Sequence, residues 1–444
     1  MIVTLDKHAH NPNLVASGLA GVPTPMNQSA HPSHINAVWY VAITDFPDGL
    51  GSTARTRSLC EALVRLGNDV HLMIPYALGH VGSEPDNRKT EGIHQGIKWK
   101  YLNHSRIRPR NAFSVALTKL QSQFKIAYQL LKSGSQDVRC IFFYNLSYYD
   151  SFLLTFVASI KHIPMVLDIT DEYHDSAIPL RRVGPARFIF QKLSVLLENC
   201  LFKRVQAIIT VSEYFRNKLR KYDTKLFMLP AIIHCDRFVN AEADISFGDN
   251  SCANIVYAGN ISLIEGIDTL IIAFGMLHAE GVKARLTVIG KATLGDNLDN
   301  YRNLINTWNA TDVVGILPAV EYDAYPEYLK SADILIVPRP LSKFSNAGFP
   351  YKVAECLATG KPVIVTRFGD IELYLTDGVH CYLCEADNPK AIAETIKHVI
   401  QNAVRATHVA AEGQRRAMEL FDINSAAHRL SEIMQFVDES CVRQ

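Results

Sequence analysis

A chain of 444 residues with a hydrophobic fraction of 48% is long enough for two or three domains, each with its own core. Its 45 lysines and arginines against 44 aspartates and glutamates leave a formal charge of +1, which excludes a whole-protein field for nucleic acid or another polyanion. Any charge-based function must be local. Nine cysteines include one close pair, Cys381 and Cys384, with no second pair at metal-ligand spacing, so they read as ordinary buried thiols rather than a zinc site. Apolar runs such as "FLLTFVASI" from Phe152 stop short of the ~20 residues a membrane-spanning helix needs. No charged, apolar, small-residue leader opens the chain, and a cytoplasmic protein with reduced thiols is expected.

Residues 1–35 are polar, punctuated by Pro and Gly, and without period, which suggests a disordered or loosely attached leader. From Ala37 short apolar runs alternate with helical patterns: "AVWYVAI", a helix from about Ser52, "DVHLMIP", "IKWKYL", a helix near 112–133, "CIFFY", another helix, "PMVLDI", "AIITV" and "KLFMLP". A polar stretch, "NAEADISFGDNSC", has the character of a linker. A second series follows: "NIVYAG", a helix from about Ile267, "RLTVIG", a helix near 296–309, "VVGIL", a helix around 321–331, "ILIVP", a helix within "GFPYKVAECLATG", and "PVIVT". This rhythm predicts an α/β protein with two Rossmann-like, doubly wound parallel-sheet domains facing a cleft, over 36–239 and 253–420, joined by a linker over 240–252. Ligands in such sheets sit beyond the carboxyl ends of the strands, so chemistry is expected in the loops after Ile43, Tyr144, Asp168, Ala258, Ile289 and Val337.

Several of those loops are glycine-rich. Gly49 and Gly51 lead into the first helix, with Arg55 and Arg57 in its first turns; either the backbone N–H groups and helix start cradle an anion, or this is a plain tight turn with solvated arginines. Gly259 and Gly266 bracket a second such loop, and Gly290, followed by Lys291, ends another strand. Three such loops at one end of two sheets favour a nucleotide or sugar-phosphate cleft. In "SNAGFPYKVAECLATGKPVI", Pro350 fits the first position of a helix and Gly348 leaves the approach uncrowded. Lys352 and Glu355, three apart, share a helix face: the ammonium would reach a diphosphate and the carboxylate a ribose, or the two form a solvated i,i+3 ion pair. Ala354, Leu357 and Ala358 account for the buried side.

That segment resembles the donor-binding signature of the retaining GT-B glycosyltransferases of family 4, of the glycosyl transferases group 1 type. The likeness extends from about Ala37 to the C-terminal helix through "GSTARTRSLCEALVRLGNDVHLM", "AIITVSEYFRNKL", "IVYAGNISLIEGIDTLIIAF", "RLTVIG" and "GKPVI". It implies transfer of a sugar from a nucleotide-sugar donor, bound in the second domain, to a saccharide or lipid-linked saccharide in the first, as in polysaccharide or glycoconjugate biosynthesis. It implies no cofactor and no obligatory metal, and a last helix within 421–444 that crosses back to the first domain. Carried onto this chain, the donor site comprises Gly259, Asn260, Gly290, Arg339, Gly348, Phe349, Lys352 and Glu355.

Three positions depart from the family pattern. The first of the two usual glutamates is Ala347, and the usual phosphate-binding arginine and lysine are Asn260 and Glu265. A leaving diphosphate still needs cationic or dipolar stabilisation, and Lys352 is the expected source, with Arg339 and Lys343 either assisting or serving as ordinary surface residues. The departures keep two rivals open: a non-catalytic GT-B subunit that binds nucleotide sugar or a partner enzyme, and a sugar-nucleotide epimerase or hydrolase.

In the first domain "LDITDEYHDS" sets Asp171 and His174 just past a strand end, either to orient the acceptor or to cap the next segment. Asn145 either lines the same floor, with Gly49, Gly51 and Arg55 on the acceptor side, or makes a local turn. The region 179–205 mixes Arg181, Arg182, Arg187, Lys192, Lys203 and Arg204 with phenylalanines and leucines, and "HSRIRPRNAF" adds three arginines. These suit either a lipid-linked acceptor at an anionic membrane on the inner face, or a packed helix with a solvated positive rim.

Overall fold

The computed structural model describes residues 37–442 apart from 48, 50–51, 77–87, 107–111, 135, 146–147, 171–198, 248–250 and 293–295. Its first sheet contains β1 (Ala37–Ala42), β2 (Val70–Ile74), β3 (Glu91–His94), β4 (Ile97–Tyr101), β5 (Val138–Tyr144), β6 (Met165–Ile169), β7 (Ala207–Thr210) and β8 (Lys225–Met228), in the order β3-β4-β2-β1-β5-β6-β7-β8. β1 is buried at every residue, as a central parallel strand covered on both faces must be. All pairs are parallel except β3 with β4. The edge strand β3 lies outside the sequence expectations because "EGIH" has a single large apolar residue, Ile93, and that is 73% exposed.

Helices cover both faces. α1 (Ser52–Arg65) buries Leu59 and Leu63 against Val38, Tyr40 and Phe142. On the opposite face α2 (Ala112–Lys132) and α3 (Tyr148–Ile160) bury Ile126, Leu130, Leu154 and Val157 with Trp39, Val41 and Ile141. The short helices α4 (Glu213–Leu219) and α5 (Cys235–Val239) follow β7 and β8.

The second sheet is wholly parallel, with β9 (Ala253–Ala258), β10 (Ala284–Ile289), β11 (Val314–Leu317), β12 (Ile334–Val337), β13 (Val363–Thr366) and β14 (Tyr382–Cys384) in the order β11-β10-β9-β12-β13-β14. Its helices are α6 (Ile267–Ala279), α7 (Leu298–Thr307), α8 (Tyr325–Lys330), α9 (Lys343–Ala347), α10 (Tyr351–Ala358), α11 (Ile371–Tyr374), α12 (Pro389–Gln401) and α13 (Ala403–Phe421). Cys381 and Cys384 are buried free thiols at either end of β14.

The chain crosses between the sheets twice, and the crossings are stitched together. Ile233 N donates to Phe421 O at 2.8 Å, Ile423 N to Ile233 O at 3.0 Å, and Cys235 N to the Asp422 carboxylate at 3.3 Å. The final helix α14 (Ile423–Val442) then buries Leu430, Ile433, Met434 and Val437 on the first sheet beside α1. Strand order reverses between β1 and β5 in one sheet and between β9 and β12 in the other, and it is beyond the carboxyl ends at such reversals that open α/β sheets have their ligand crevice. The two carboxyl ends meet: Ser212 Oγ donates to Ala347 O at 2.6 Å, and a Cβ on Gly348 would lie 3.7 Å from Thr170 O.

Candidate functional site

The loops that leave β9, β10 and β12 converge. Gly259 and Asn260 follow β9, Gly290 follows β10, and Arg339 lies two residues past β12. Gly290 must be glycine because an added Cβ would sit 1.8 Å from Gly259 O, so the two loop backbones run in direct contact. Gly290→Ala is expected to destabilise the protein by about 1–3 kcal/mol through forced backbone movement. An unchanged urea midpoint would show that the loops separate freely.

A buried charge cluster lies beneath this crossing. Glu265 ends a 3-10 turn, Leu263–Glu265, and Gly266 at φ +76° follows, where a Cβ would sit 1.9 Å from Pro338 O. That close approach brings Glu265 to the end of β12. One carboxylate oxygen accepts from Arg339 at 3.0 Å and the other from Lys352 Nζ at 2.7 Å. Lys352 also donates to the Tyr257 hydroxyl at 2.8 Å and lies 4.8 Å from that ring. Burial works against the Glu265 charge, yet Lys352 and Arg339 outweigh it and hold the carboxyl down at about 2. Burial also lowers the Lys352 pKa, with Glu265 opposing. The Lys352 side chain keeps 17% exposure, while its ammonium is held by Glu265 and Tyr257. Arg339 Nε is buried without a partner, and its guanidinium lies over Phe344 and Phe368.

Lys352 and Glu355 share a face of α10 but do not pair, so the solvated ion pair is not what the helix presents. Glu355 accepts from the Tyr325 hydroxyl at 3.2 Å. Burial raises its pKa, and the Tyr325 hydrogen bond and the Arg237 charge oppose the rise. Pro350 is the N-cap, with ψ 125°, one residue earlier than expected, and the helix begins at Tyr351. The Phe349 ring packs 5.2 Å from Tyr374 and 5.0 Å from Phe421, in the aromatic core where the chain crosses back, so only its backbone could serve the donor set. Asn260 is exposed, and its carbonyl accepts from the Tyr257 hydroxyl at 2.7 Å. Ala347 is buried with its carbonyl bound by Ser212.

On the acceptor side Arg55 is a correction. Only 1% exposed, it turns into the core and donates to both oxygens of Asp168, at 2.8 and 2.7 Å, and to Pro230 O and Leu229 O. It braces the end of β6 rather than facing the cleft. Asn145, at φ 45°, makes the turn: its side chain accepts from Thr170 N at 2.9 Å and donates to Thr170 Oγ1 at 2.6 Å. Gly49 donates from its N–H to Asp45 O at 3.1 Å, and a Cβ there would meet Thr53 Oγ1. Gly51, Asp171 and His174 lie outside the described residues, as do Arg181, Arg182, Arg187 and Lys192.

Sequence reasoning missed Tyr257, Tyr325 and Tyr322. Tyr322 is held between the two domains, with Arg57 4.9 Å and Arg237 3.7 Å from its ring centre, and its carbonyl accepts from Arg237 at 2.6 Å. No local spacing marks these tyrosines, because the charged side chains that they meet, Lys352, Glu355, Arg57 and Arg237, lie 30 or more residues away.

Comparison with known proteins places this geometry. Residues 51–237 match the model of Glycosyltransferase Family 4, and residues 249–416 that of Glycosyl transferases group 1. A D-inositol 3-phosphate glycosyltransferase of Xylanimonas cellulosilytica is 27% identical over 180 residues, which is 40% of this chain and 41% of that relative's length. The chain therefore spans about two fifths of that curated relative. Sucrose-phosphate synthase from Thermosynechococcus elongatus superposes with a TM-score of 0.71 at 14% identity, over 91% of this chain and 100% of that one. Anabaena HepE in complex with UDP-glucose superposes at 0.63 and 15% identity, over 90% of this chain and 99% of that one. With both halves matched in order, and the two parallel sheets superposing on these structures, the chain belongs to the group 1 glycosyltransferases of family 4 type and has their GT-B fold.

Proposed function

We propose that the protein is a retaining glycosyltransferase that moves a hexose-type residue from a nucleotide sugar to a saccharide or lipid-linked saccharide. The observation that carries this reading is the meeting of Lys352 and Arg339 on Glu265 where the second sheet reverses strand order, with Glu355 on the same face of α10 as Lys352. Glu355 accepts from the ribose hydroxyls, and Lys352 with Arg339 faces the diphosphate. As the bond from the anomeric carbon to the phosphate oxygen breaks, Lys352 stabilises the charge that develops on that oxygen. The acceptor oxygen bonds the anomeric carbon on the same face, and its proton passes to the departing phosphate. The cationic charge comes from side chains, so the reading includes no obligatory metal. The relatives' names and the HepE complex with UDP-glucose support a nucleotide-sugar donor. The protein works on the cytoplasmic side, and domain closure over the donor limits its hydrolysis.

Thermal shift with a panel of nucleoside diphosphates and nucleotide sugars tests the donor site. One member is expected to stabilise the wild type and not Glu355→Ala, which would place the ribose at α10. Equal stabilisation of both would remove Glu355 from the site.

One observation favours a second reading. Glu265 ties up both cations and Ala347 offers no carboxylate, the arrangement of a subunit that binds nucleotide sugar without turning it over. Saturable binding with no product from any acceptor would establish it.

A further inference from the structure

The described residues carry nineteen exposed large hydrophobic side chains, and nine of them lie on two neighbouring helices. On α2, Phe113, Leu117, Leu120, Phe124, Tyr128 and Leu131 recur at intervals of three and four, which puts them in one stripe along the helix. Phe152, Phe156 and Ile160 do the same on α3, which packs beside α2. The opposite sides of both helices are already spent on the core, through Ile126, Leu130, Leu154 and Val157. A contiguous apolar face of this size on a helix pair marks a surface that something covers.

Charge indicates what covers it. The 21 residues of α2 include Lys119, Lys125 and Lys132 and no acidic residue. Lys125, Tyr128, Gln129, Lys132 and Ser133 line a shallow depression beside the stripe, with the Lys132 ammonium 4.6 Å from the centre of the Tyr128 ring. Lys161 sits at the C-terminal end of α2 and donates to Leu130 O at 2.7 Å and Leu131 O at 3.2 Å. Phenylalanine and leucine on one face with lysine at the margin is the chemistry of a helix lying in a membrane interface, where rings enter the acyl boundary and ammonium groups meet phosphate headgroups. No helix among the described residues is long and apolar enough to cross a membrane, so the face would lie on the bilayer.

We infer that α2 and α3 form a docking face for an anionic lipid surface. The topology gives the contact a purpose. α2 follows the parallel strand β4, so its first turn, with Phe113, lies at the carboxyl end of the sheet, the end that holds the acceptor-side loops. A membrane held along the stripe would run up to the acceptor entrance. The inference uses no residue of the donor site and differs from the basic region at 179–205.

Sedimentation with phosphatidylcholine vesicles, with and without phosphatidylglycerol, tests it. The wild type is expected to pellet with the anionic vesicles only, less so at high salt. Phe113→Ser/Phe124→Ser, and independently Phe152→Ser/Phe156→Ser, should lower the bound fraction roughly tenfold. These side chains are exposed, so the variants should keep the wild-type melting temperature and the nucleotide-induced shift, which separates a failure here from a failure of the donor reading. Wild type that stays in the supernatant, equal binding to neutral vesicles, or variants that pellet like wild type would each overturn the inference. A wild-type dimer in light scattering that the variants lose would also overturn it, assigning the face to a second copy of the chain.

Discussion

Asp168→Ala is expected to cost the first domain about 3–5 kcal/mol, the range found when one partner of a buried ion pair is removed. Arg55 is 1% exposed and Asp168 fully buried, so water cannot replace the lost carboxylate. Two carbonyls, Pro230 O and Leu229 O, remain to hold a guanidinium whose pKa burial lowers and Asp168 raises. Against a total stability of about 5–15 kcal/mol, such a loss decides whether the domain stays folded. The variant should unfold at markedly lower urea, and Asp168→Asn, which keeps the shape and loses the charge, should fall between. The double variant Arg55→Met/Asp168→Leu should recover much of the loss, because a well-packed apolar pair avoids the desolvation penalty. A wild-type midpoint for Asp168→Ala would mean that the pair does not brace the protein in solution. The pair joins α1 to the carboxyl end of β6.

Lys352→Ala should lower kcat/KM more than tenfold, a loss of at least about 1.4 kcal/mol of transition-state stabilisation. The substitution removes the ammonium proposed to act on the diphosphate and leaves Glu265 with Arg339 as its one direct cationic partner among the described residues. Two explanations of a loss then compete: Lys352 acts on the diphosphate, or it only keeps Glu265 neutralised. Lys352→Met/Glu265→Gln separates them, because it removes the ammonium together with the carboxylate that it neutralises, while the amide oxygen of the glutamine can still accept from Arg339. If Lys352 acts on the leaving group, the double variant folds like wild type and stays slow, with the loss mainly in kcat. Recovered turnover would reduce Lys352 to a structural counter-ion. Wild-type turnover by Lys352→Ala would remove it from the mechanism.

The alternation of apolar runs with helical periods is a local signal, and it located most strands of both sheets, through β13, because each is written within a dozen or so neighbouring residues. It missed β3, whose single large apolar residue leaves no pattern, and β14, which is only three residues long; it left α12 and α13, after β13, unassigned; and it placed Pro350 one residue too far into its helix. The crevice was legible for the same reason. Parallel βαβ units bring every βα loop to one end, so Gly259, Gly290 and the approach to Lys352 had to gather there.

What each side chain does in that crevice was a different matter. Arg55 in a first helical turn after a glycine loop has the same local pattern whether it meets a ligand or a buried aspartate 113 residues on. Phe349 belongs to an aromatic core completed by Phe421, and Lys352 is held by a glutamate 87 positions earlier. The sequence by itself determined the two-domain α/β architecture, the family and the end of the sheets where ligand chemistry gathers, because these follow from short-range periodicity and the handedness of βαβ crossovers. Tertiary structure alone decided that Glu265 pairs with both Lys352 and Arg339, that Arg55 braces Asp168, and that one face of α2 and α3 is exposed among the described residues. Those facts depend on which distant groups share a low-dielectric space, and the chain order carries no record of that.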